Sequence, residues 1–422
     1  MFRWITRFAL VLLGAASADA REATVATWNL GWHLSQDQAA TWIAKCSAPF
    51  AKNAQTGLWE PAAAGTPGWE LKWGRDAPIL WDIGNWPPCD VFQSNFDVVP
   101  VTAAAYEKRA DQVRLLLADK VKADIIAFQE VSGEQAIRDV LPDGGKDYLV
   151  WSFDGFKIQR LGFAWRKELG PASLCAEETT ISLPQFAPKD QVRPGLSLGL
   201  TIGGKKLRLL NVHLKSSCVT PVEAEPGNPR GALAGDDPAC QVLQQQVSPL
   251  EAWIETAGDE SDYLIILGDF NRAIWHELHR DEQVRTDGSD PVGPLASPVS
   301  VNSLIEEIND GKPVSSKLTV LEEHCPLDAS TQAACVTAEN PEDKAAWRAS
   351  TKTLAGVNSL GCRNPVGLDH IVLGPGLTAG QAAVKVPLGR QGRTLPANQT
   401  HPNPLLALSD HCPLAAVVHF PD

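Results

Sequence analysis

The residues with the clearest chemical capacity stand in two short motifs, ILGDFNR at 266–272 and LSDHCP at 408–413. The first offers carboxylate and amide oxygens, which are the ligands that Mg²⁺ and Ca²⁺ prefer. The second offers a histidine, which can gain or lose a proton near neutral pH. Hydrolysis of a phosphate ester needs a hard cation, an oriented water molecule and donors for the phosphoryl oxygens. The two motifs therefore contain functional groups that metal-assisted hydrolysis of a phosphate ester requires.

Side chains of the same kinds follow other apolar segments. The candidate oxygen ligands are Asn29, Glu130, Asp269, Asn271 and Asp410, and the candidates for orienting water and binding phosphate are His213, His411, Asn271 and Asn29. Asp369 is suited to fix a histidine tautomer and to raise its pKa. Each signal is weak alone, because an Asp or Asn after a strand more often caps or turns the chain. The prediction depends on the whole ordered set.

The elements that must position these groups alternate between strands and amphipathic helices. The predicted strands are 24–29, 124–128, 161–165, 198–202, 207–212, 263–267 and 412–418, and the predicted helices are 106–121 and 240–257. Pro249 is expected to kink the second helix or to divide it in two. Each candidate catalytic group falls at the end of a predicted strand.

The ordered motifs resemble those of the endonuclease/exonuclease/phosphatase superfamily. They are TWN at 27–29, QE at 129–130, NVHLKS at 211–216, GDFN at 268–271, LDH at 368–370 and SDH at 409–411. Members of that superfamily include pancreatic-type deoxyribonucleases, abasic-site endonucleases, neutral sphingomyelinases and inositol polyphosphate 5-phosphatases. The resemblance runs from residue 24 to about 420. It implies a four-layer α-β-β-α sandwich, in which two packed mixed or antiparallel sheets lie between outer helices.

The resemblance also implies a role for each site residue. The implied catalytic residues are His213, Asp269, Asn271, Asp369 and His411, the implied metal ligands Asn29, Glu130 and Asp410, and the implied phosphate-binding residues Arg160 and Lys215. Asp269 would orient or deprotonate the attacking water, Asn271 would contact the scissile phosphate, and Asp369 would orient His411. Arg160 and Lys215 match more loosely, and a solvated Lys215 is an equal alternative. The implied reaction is a single in-line displacement with Mg²⁺, or alternatively Mn²⁺ or Ca²⁺.

The N-terminus predicts export. Arg3 and Arg7 flank the apolar run 8–14, and small residues follow at 16–20, which is the layout of a signal peptide covering 1–20. We therefore expect a secreted or periplasmic protein, with 21–422 as a single domain. No apolar run reaches the roughly 20 residues that a transmembrane helix needs.

All nine cysteines follow the predicted signal peptide, and disulfides are the default in an oxidising compartment. The odd number leaves one cysteine over, and Cys412 is predicted to be that one because it opens the apolar run 412–418. The local pairs Cys46–Cys89, Cys218–Cys240 and Cys325–Cys335 are expected, although sequence alone leaves the connectivity open.

Two segments, 46–100 and 273–362, interrupt the strand–helix pattern and are predicted to be disulfide-stapled insertions. The first holds Trp59, Trp69, Trp73, Trp81 and Trp86. Insertions of this length are commonly lids or binding loops. Alternatively, the tryptophans simply pack the insertion onto the body of the protein.

The favoured function is an extracytoplasmic, monomeric nuclease or phosphodiesterase acting on nucleic acid or another phosphodiester. The formal net charge of −13 and the lack of long basic runs argue against a processive nuclease, although a local basic cleft on an acidic protein stays compatible with nuclease action. One alternative is a phospholipid or sphingomyelin phosphodiesterase whose tryptophans touch a membrane. Another is a non-catalytic binding protein on the same fold, against which the complete catalytic set argues.

Overall fold

The computed structural model describes residues 22–46, 49–52, 54–55, 59–61, 66–67, 85–87, 102–155, 157–219, 233, 235–278, 303–311, 313–321, 323–324, 361–362, 367–380, 383–392 and 408–421. The predicted signal peptide lies outside these residues. Within them, no helix is both long enough and apolar enough to cross a bilayer.

The first sheet is mixed and is built around the strand that carries Asn29. Its strands are β1 (Glu22–His33), β5 (Ile125–Val131), β6 (Tyr148–Ser152), β7 (Arg160–Arg166), β13 (Glu323–His324), β15 (Thr378–Ala379), β16 (Ala383–Lys385) and β17 (Leu414–His419). Their order is β13-β16-β17-β1-β5-β7-β6, with β15 also paired to β17. β1 pairs parallel with β5 and antiparallel with β17. The predicted strand at 412–418 is therefore central, as expected.

The second sheet carries the other half of the candidate residues. Its strands are β8 (Leu174–Glu178), β9 (Gly195–Ile202), β10 (Lys205–His213), β11 (Tyr263–Asp269), β12 (Thr319–Val320) and β14 (Asp369–Leu373), in the order β12-β14-β11-β10-β9-β8. β10 and β11 are parallel, and both end where candidate catalytic residues stand. Parallel strands begin and end at common edges, so their ends meet.

Helices cover the outer faces of the two sheets. They are α1 (Gln36–Cys46), α2 (Ala103–Leu116, continued by a π-helical turn at Leu117–Val121), α3 (Glu134–Val140) and α4 (Pro238–Glu260), followed by the short α5 (Ile274–Leu278) and α6 (Leu304–Ile308). One apolar core lies between α2, α3 and the first sheet, a second lies between the two sheets, and a third lies between α4, α6 and the second sheet. The predicted four-layer α-β-β-α sandwich is confirmed.

Of the two outcomes predicted for Pro249, a kink or a division of the helix, division is wrong, because α4 runs through the proline as one helix of 23 residues. Proline removes one backbone hydrogen bond from a helix interior. The helix nevertheless buries Val247, Leu250 and Trp253 on the side that packs on the second sheet. This burial on both sides of the proline offsets the lost bond.

The prediction that Cys412 is free is also wrong. Cys412 is bonded to Cys362, with 5.3 Å between their Cα atoms, and Cys175 is the free, exposed cysteine among the described residues. The expected Cys218–Cys240 disulfide is confirmed. Cys46 is disulfide-bonded, but Cys89 lies outside the described residues. The predicted Cys325–Cys335 pair lies outside them too.

The two predicted insertions make contact with the body where they are described. In the first, β2 (Pro49–Lys52), β3 (Trp59–Pro61) and β4 (Thr66–Pro67) form a small antiparallel sheet. Trp86 packs beside Trp42, whose indole nitrogen donates to Pro87 O at 2.9 Å. For Trp86, packing onto the body is therefore the observed role. In the second insertion, α6 buries apolar side chains in the outer core and β12 extends the second sheet.

Gly268 is required by the close approach of β10 and β11 beside the candidate site. Its φ is 144°, a conformation that favours glycine, and a Cβ placed there would lie 2.1 Å from Val212 O in the paired strand. The turn between β9 and β10 offers a contrast, because Gly204 has a φ of 80° but no atom within 4 Å of its would-be Cβ.

Gly268→Ala is therefore expected to lower the free energy of unfolding by at least about 3 kcal/mol, because the methyl group must displace a strand backbone. Gly204→Ala should cost only about 1–2 kcal/mol, the strain of a left-handed alanine. Denaturant unfolding followed by tryptophan fluorescence measures both losses. Equal losses in the two variants would contradict the steric account.

Candidate functional site

Three of the predicted catalytic residues lie side by side across the second sheet. Asp269 ends β11, and the pairing register places His213 of β10 opposite it on one side and Asp369 of β14 opposite it on the other. The three side chains are at most 4% exposed. β10 and β11 end with His213 and Asp269, and the antiparallel β14 begins with Asp369, so the register places the three groups in one row.

The first sheet contributes Asn29 and Glu130 through two irregularities that face each other. The pairing of β1 with β5 shifts between Asn29 and His33, and the pairing of β5 with β7 shifts between Gln129 and Val131. Glu130 lies at the second bulge with a φ of 56°. Its Oε2 accepts a hydrogen bond from Trp32 N at 3.1 Å. Bulges re-aim side chains at sheet edges, and here they bring Glu130 Oε1 to 3.8 Å from His213 Nε2.

Asp269 is the point where both sheets meet. Its Oδ2 accepts a hydrogen bond from Asn29 Nδ2 at 2.9 Å, and its Oδ1 accepts one from Asn271 N at 2.8 Å. The Nε2 atoms of His213 and His411 lie 3.4 and 3.8 Å from Oδ2. Burial raises the pKa of Asp269 to about 7, although the charge of His411 and the donors of Asn29 and Asn271 oppose this shift.

The two histidines beside Asp269 have pKa values shifted in opposite directions. Burial would lower the pKa of His411, but the charges of Asp369 and Asp269 and a 2.8 Å hydrogen bond from Nδ1 to Asp369 Oδ2 raise it well above its ordinary value. Burial lowers the pKa of His213 well below that value, and the charges of Arg193 and His411 lower it further. The site therefore pairs a cationic His411 with a neutral His213.

The loop that carries His411 is tied to β1. Ser409 Oγ donates to Asn29 O at 2.6 Å and accepts from His411 N at 3.0 Å. Trp28 Nε1 donates to His411 O at 2.9 Å. From behind, the fully buried Arg109 donates to Leu30 O and to Leu408 O, at 2.7 and 2.5 Å. Asn29 and His411 are therefore held by one shared network.

The remaining predicted site residues lie around this centre. Asn271 adopts a φ of 51°, and its Nδ2 donates to Leu214 O at 3.1 Å. Asp410 adds to the charges that raise the pKa of His411. Lys215 Nζ donates to Ser216 O at 2.8 Å, and Arg160 Nη1 donates to Ser132 O at 2.9 Å. The last two side chains thus contact backbone carbonyls rather than the central carboxylates.

Arg193 is a site residue that the sequence interpretation missed. Burial lowers its pKa, while the charges of Glu130 and Asp269 act in the opposite direction, which places its guanidinium near both carboxylates. Its Nε donates to Gln159 O at 3.1 Å. It stands two residues before β9 in the segment QVRPG, and a single arginine before a strand has no distinctive sequence pattern.

The central groups fit a bound divalent cation. Carboxylate oxygens of Asp269 and Asp369 lie within 4.8 Å of each other and of a ring nitrogen of His411. The raised pKa of His411 and its bond to Asp369 make this histidine a partner for phosphate rather than a metal ligand. Asp369 Oδ1 and His213 Nδ1 are buried without hydrogen-bond partners among the described residues. Glu130 and Asn29 add a carboxylate and an amide oxygen from the opposite sheet. This set, rich in oxygen atoms and in buried negative charge, suits a hard cation.

His370, next to Asp369, gives the fold a testable dependence on pH. Its ring is fully buried, with Nε2 2.8 Å from Arg272 O, and burial lowers its pKa to about 4. Between an unfolded pKa near 6.5 and this folded value, the unfolded chain binds a proton that the folded chain does not. His370 therefore removes stability as the pH falls through this window.

We expect the wild type to lose on the order of 2 kcal/mol more unfolding free energy than His370→Gln between pH 7 and pH 4.5. Gln keeps a side-chain donor for Arg272 O but has no proton to gain. Urea unfolding at a series of pH values measures the difference. The same loss in both proteins would show that His370 does not stay neutral in the folded state.

Comparison with known proteins identifies the family. The model of the endonuclease/exonuclease/phosphatase family matches residues 89–411, which is more than half of the chain. None of the curated proteins compared with the chain matches it significantly.

Several solved structures are similar to this chain at low sequence identity. A TDP2 from D. rerio, humanized by 14 mutations, is 12% identical, with 94% of this chain and 99% of that chain covered and a TM-score of 0.40. A family protein from Bacteroides thetaiotaomicron is 11% identical, with 95% of each chain covered and a TM-score of 0.43. A 3′ phosphatase from Neisseria, NExo, bound to a product DNA hairpin, is 17% identical, with 72% and 92% covered and a TM-score of 0.36. On the family match, the chain belongs to the endonuclease/exonuclease/phosphatase family and is a phosphoesterase.

Proposed function

We propose that the protein is an extracytoplasmic nuclease or phosphodiesterase that hydrolyses phosphodiester bonds by in-line attack of a metal-assisted water molecule. The observation that carries this proposal is the cluster around Asp269. A buried carboxylate stands between a neutral and a cationic histidine, with Glu130 and Asn29 facing it from the other sheet. A site that only bound a ligand would gain nothing from holding two histidines in opposite charge states.

The roles follow from these positions. Asp269 orients the attacking water and accepts its proton as the new P–O bond forms. His411 and Asn271 donate hydrogen bonds to the phosphoryl oxygens. Asp369 accepts a hydrogen bond from the Nδ1–H of His411, which orients the ring and stabilises its positive charge. His213 lies close to Asp269 and Glu130. It accepts the proton from Asp269 and donates it to the leaving oxygen as the ester bond breaks. Glu130 and Asn29, with Asp410, would hold Mg²⁺, or alternatively Mn²⁺ or Ca²⁺, and the bound ion would supply charge stabilisation of the phosphoryl group.

A local group of cations supports a polyanionic substrate. Arg193 is close enough to Lys157 and Lys215 for its charge to lower the pKa of each, after the larger effect of burial. Lys157 Nζ donates to Lys189 O at 3.0 Å, and Lys215 lies just beyond His213. In a chain with a net charge of −13, positive charge concentrated beside the catalytic carboxylates favours a strand with several phosphates.

The disulfides support the proposed location. Cys218–Cys240 and Cys362–Cys412 are formed, and Cys46 is disulfide-bonded. Bonds of this kind persist in oxidising compartments and are rare in the cytosol. Together with the signal-peptide pattern of residues 1–20, they favour secretion or the periplasm.

A substrate panel tests the proposal directly. Plasmid DNA, RNA, sphingomyelin vesicles and bis-p-nitrophenyl phosphate are incubated with Mg²⁺, Mn²⁺ or Ca²⁺, and in parallel with EDTA. We expect hydrolysis of DNA or RNA that EDTA abolishes and that His411→Ala lowers at least about 10²-fold, because the variant lacks the cation at the phosphate. The matched control is His419→Ala, which removes a partly exposed histidine paired with Glu22, and it should keep full activity.

Two results would overturn the proposal. Hydrolysis confined to sphingomyelin vesicles would favour a lipid phosphodiesterase. Tight binding of oligonucleotides without hydrolysis under any metal condition would favour a binding protein on this fold.

A further inference from the structure

A fully buried ion pair lies directly behind Asn271. Arg272 follows Asn271 in the chain, and its Nε lies 2.6 Å from Glu277 Oε1, with both side chains 0% exposed. Removing two charges from water costs several kcal/mol per ion, and apolar residues of similar size are often as stable. Stability alone therefore gives a weak reason for this pair.

The pair joins segments that are distant in sequence. Arg272 Nη1 donates to Cys218 O at 2.9 Å, and Cys218 is bonded to Cys240 at the start of α4. Glu277 Oε2 accepts hydrogen bonds from Ser303 Oγ at 3.0 Å and Ile305 N at 2.9 Å, where α6 begins. The rigid guanidinium group of Arg272 fixes the directions of its bonds to Glu277 Oε1 and Cys218 O.

The backbone next to the ion pair is hydrogen-bonded to residues beside the candidate site. Arg272 O accepts a hydrogen bond from His370 Nε2 at 2.8 Å, next to Asp369. Ala273 N donates to Val219 O at 2.8 Å. Asn271 itself has a left-handed backbone, a conformation that asparagine adopts more readily than most residues.

We propose that Arg272 and Glu277 are positioning residues for Asn271. The ion pair clamps the turn 270–278 to the loop 214–219, to the Cys218–Cys240 disulfide and to α6, and so fixes the side chain that contacts the scissile phosphate. Part of the second insertion is thereby built into the support of the catalytic loop. This inference rests on the proposed role of Asn271.

A double-mutant cycle tests the inference. Glu277→Gln keeps the size of the side chain but removes its charge, and it is made in the wild type and in Asn271→Ala. With bis-p-nitrophenyl phosphate as the probe, we expect Glu277→Gln to lower kcat at least about 10-fold in the wild type while KM changes less than about threefold. In Asn271→Ala the same change should lower kcat less than about twofold, because the residue being positioned is gone.

The matched control is Glu260→Gln, which removes a carboxylate from an ion pair with Arg208 in which Glu260 is 59% exposed. It should leave kcat unchanged in both backgrounds. Equal kcat losses from Glu277→Gln in the two backgrounds would overturn the inference, and so would no loss in either. Should Glu277→Gln fail to fold, Arg272→Lys, which keeps the charge but loses the fork, takes its place in the cycle.

Hydrogen exchange provides a readout that does not depend on activity. We expect the backbone amides of residues 268–274 to exchange at least about 10-fold faster in Glu277→Gln than in the wild type or in Glu260→Gln. Unchanged exchange would overturn the inference even if the protein hydrolysed none of the substrates. A wild type inactive on every substrate, with the faster exchange present, would instead count against the proposed function.

Discussion

The carboxylate of Asp269 is the constraint on which the rest of the site depends. It ends a buried strand, and its two oxygens accept hydrogen bonds from Asn29 of the first sheet and from the backbone of Asn271. His213 and His411 both face the same oxygen, Oδ2. A charge in this position is costly unless donors and cations surround it. The bulges at Asn29 and Glu130, the pairing row of the second sheet and the tie between Ser409 and Asn29 all bring such groups to it.

Buried arginines stabilise the segments that carry the candidate catalytic side chains. Arg109 holds the ends of β1 and of the 408–411 loop through their carbonyl groups. Arg272 and Glu277 do the same for the turn that carries Asn271. Arg109 donates to two backbone carbonyls, whereas Arg272 donates to one, Cys218 O, and to the carboxylate of Glu277. The catalytic groups are thus fixed from two independent sides of the sandwich.

Much of the site could be predicted from sequence because its residues directly follow apolar runs. His213 and Asp269 end strands whose parallel pairing makes their side chains neighbours, so order along the chain was a guide to proximity in space. Arg193 could not be found in this way, because its place beside Glu130 and Asp269 depends on how the segment before β9 folds back. The bulge that turns Glu130 inward likewise could not be predicted from the pattern of apolar and polar residues in the strand.

The wrong predictions share a cause. Cys412 opens an apolar run, but its bonding depends on Cys362, which is 50 residues away in sequence and adjacent in space. Pro249 is unfavourable locally, but burial along α4 decides the outcome. Local patterns predicted the strands, the helices and the residue types of the site. Contacts between distant segments determine the disulfide partner of Cys412 and the continuity of α4.

The most direct test of this account is the kcat of Asp269→Asn on the best substrate at saturating metal. The variant keeps the size of the side chain and one acceptor oxygen, so only one of the donors, Asn29 Nδ2 or Asn271 N, keeps its partner. It cannot accept a proton from water. We expect a loss of at least about 10³-fold with an unchanged circular dichroism spectrum. Activity within about 10-fold of the wild type would contradict the central role given to Asp269.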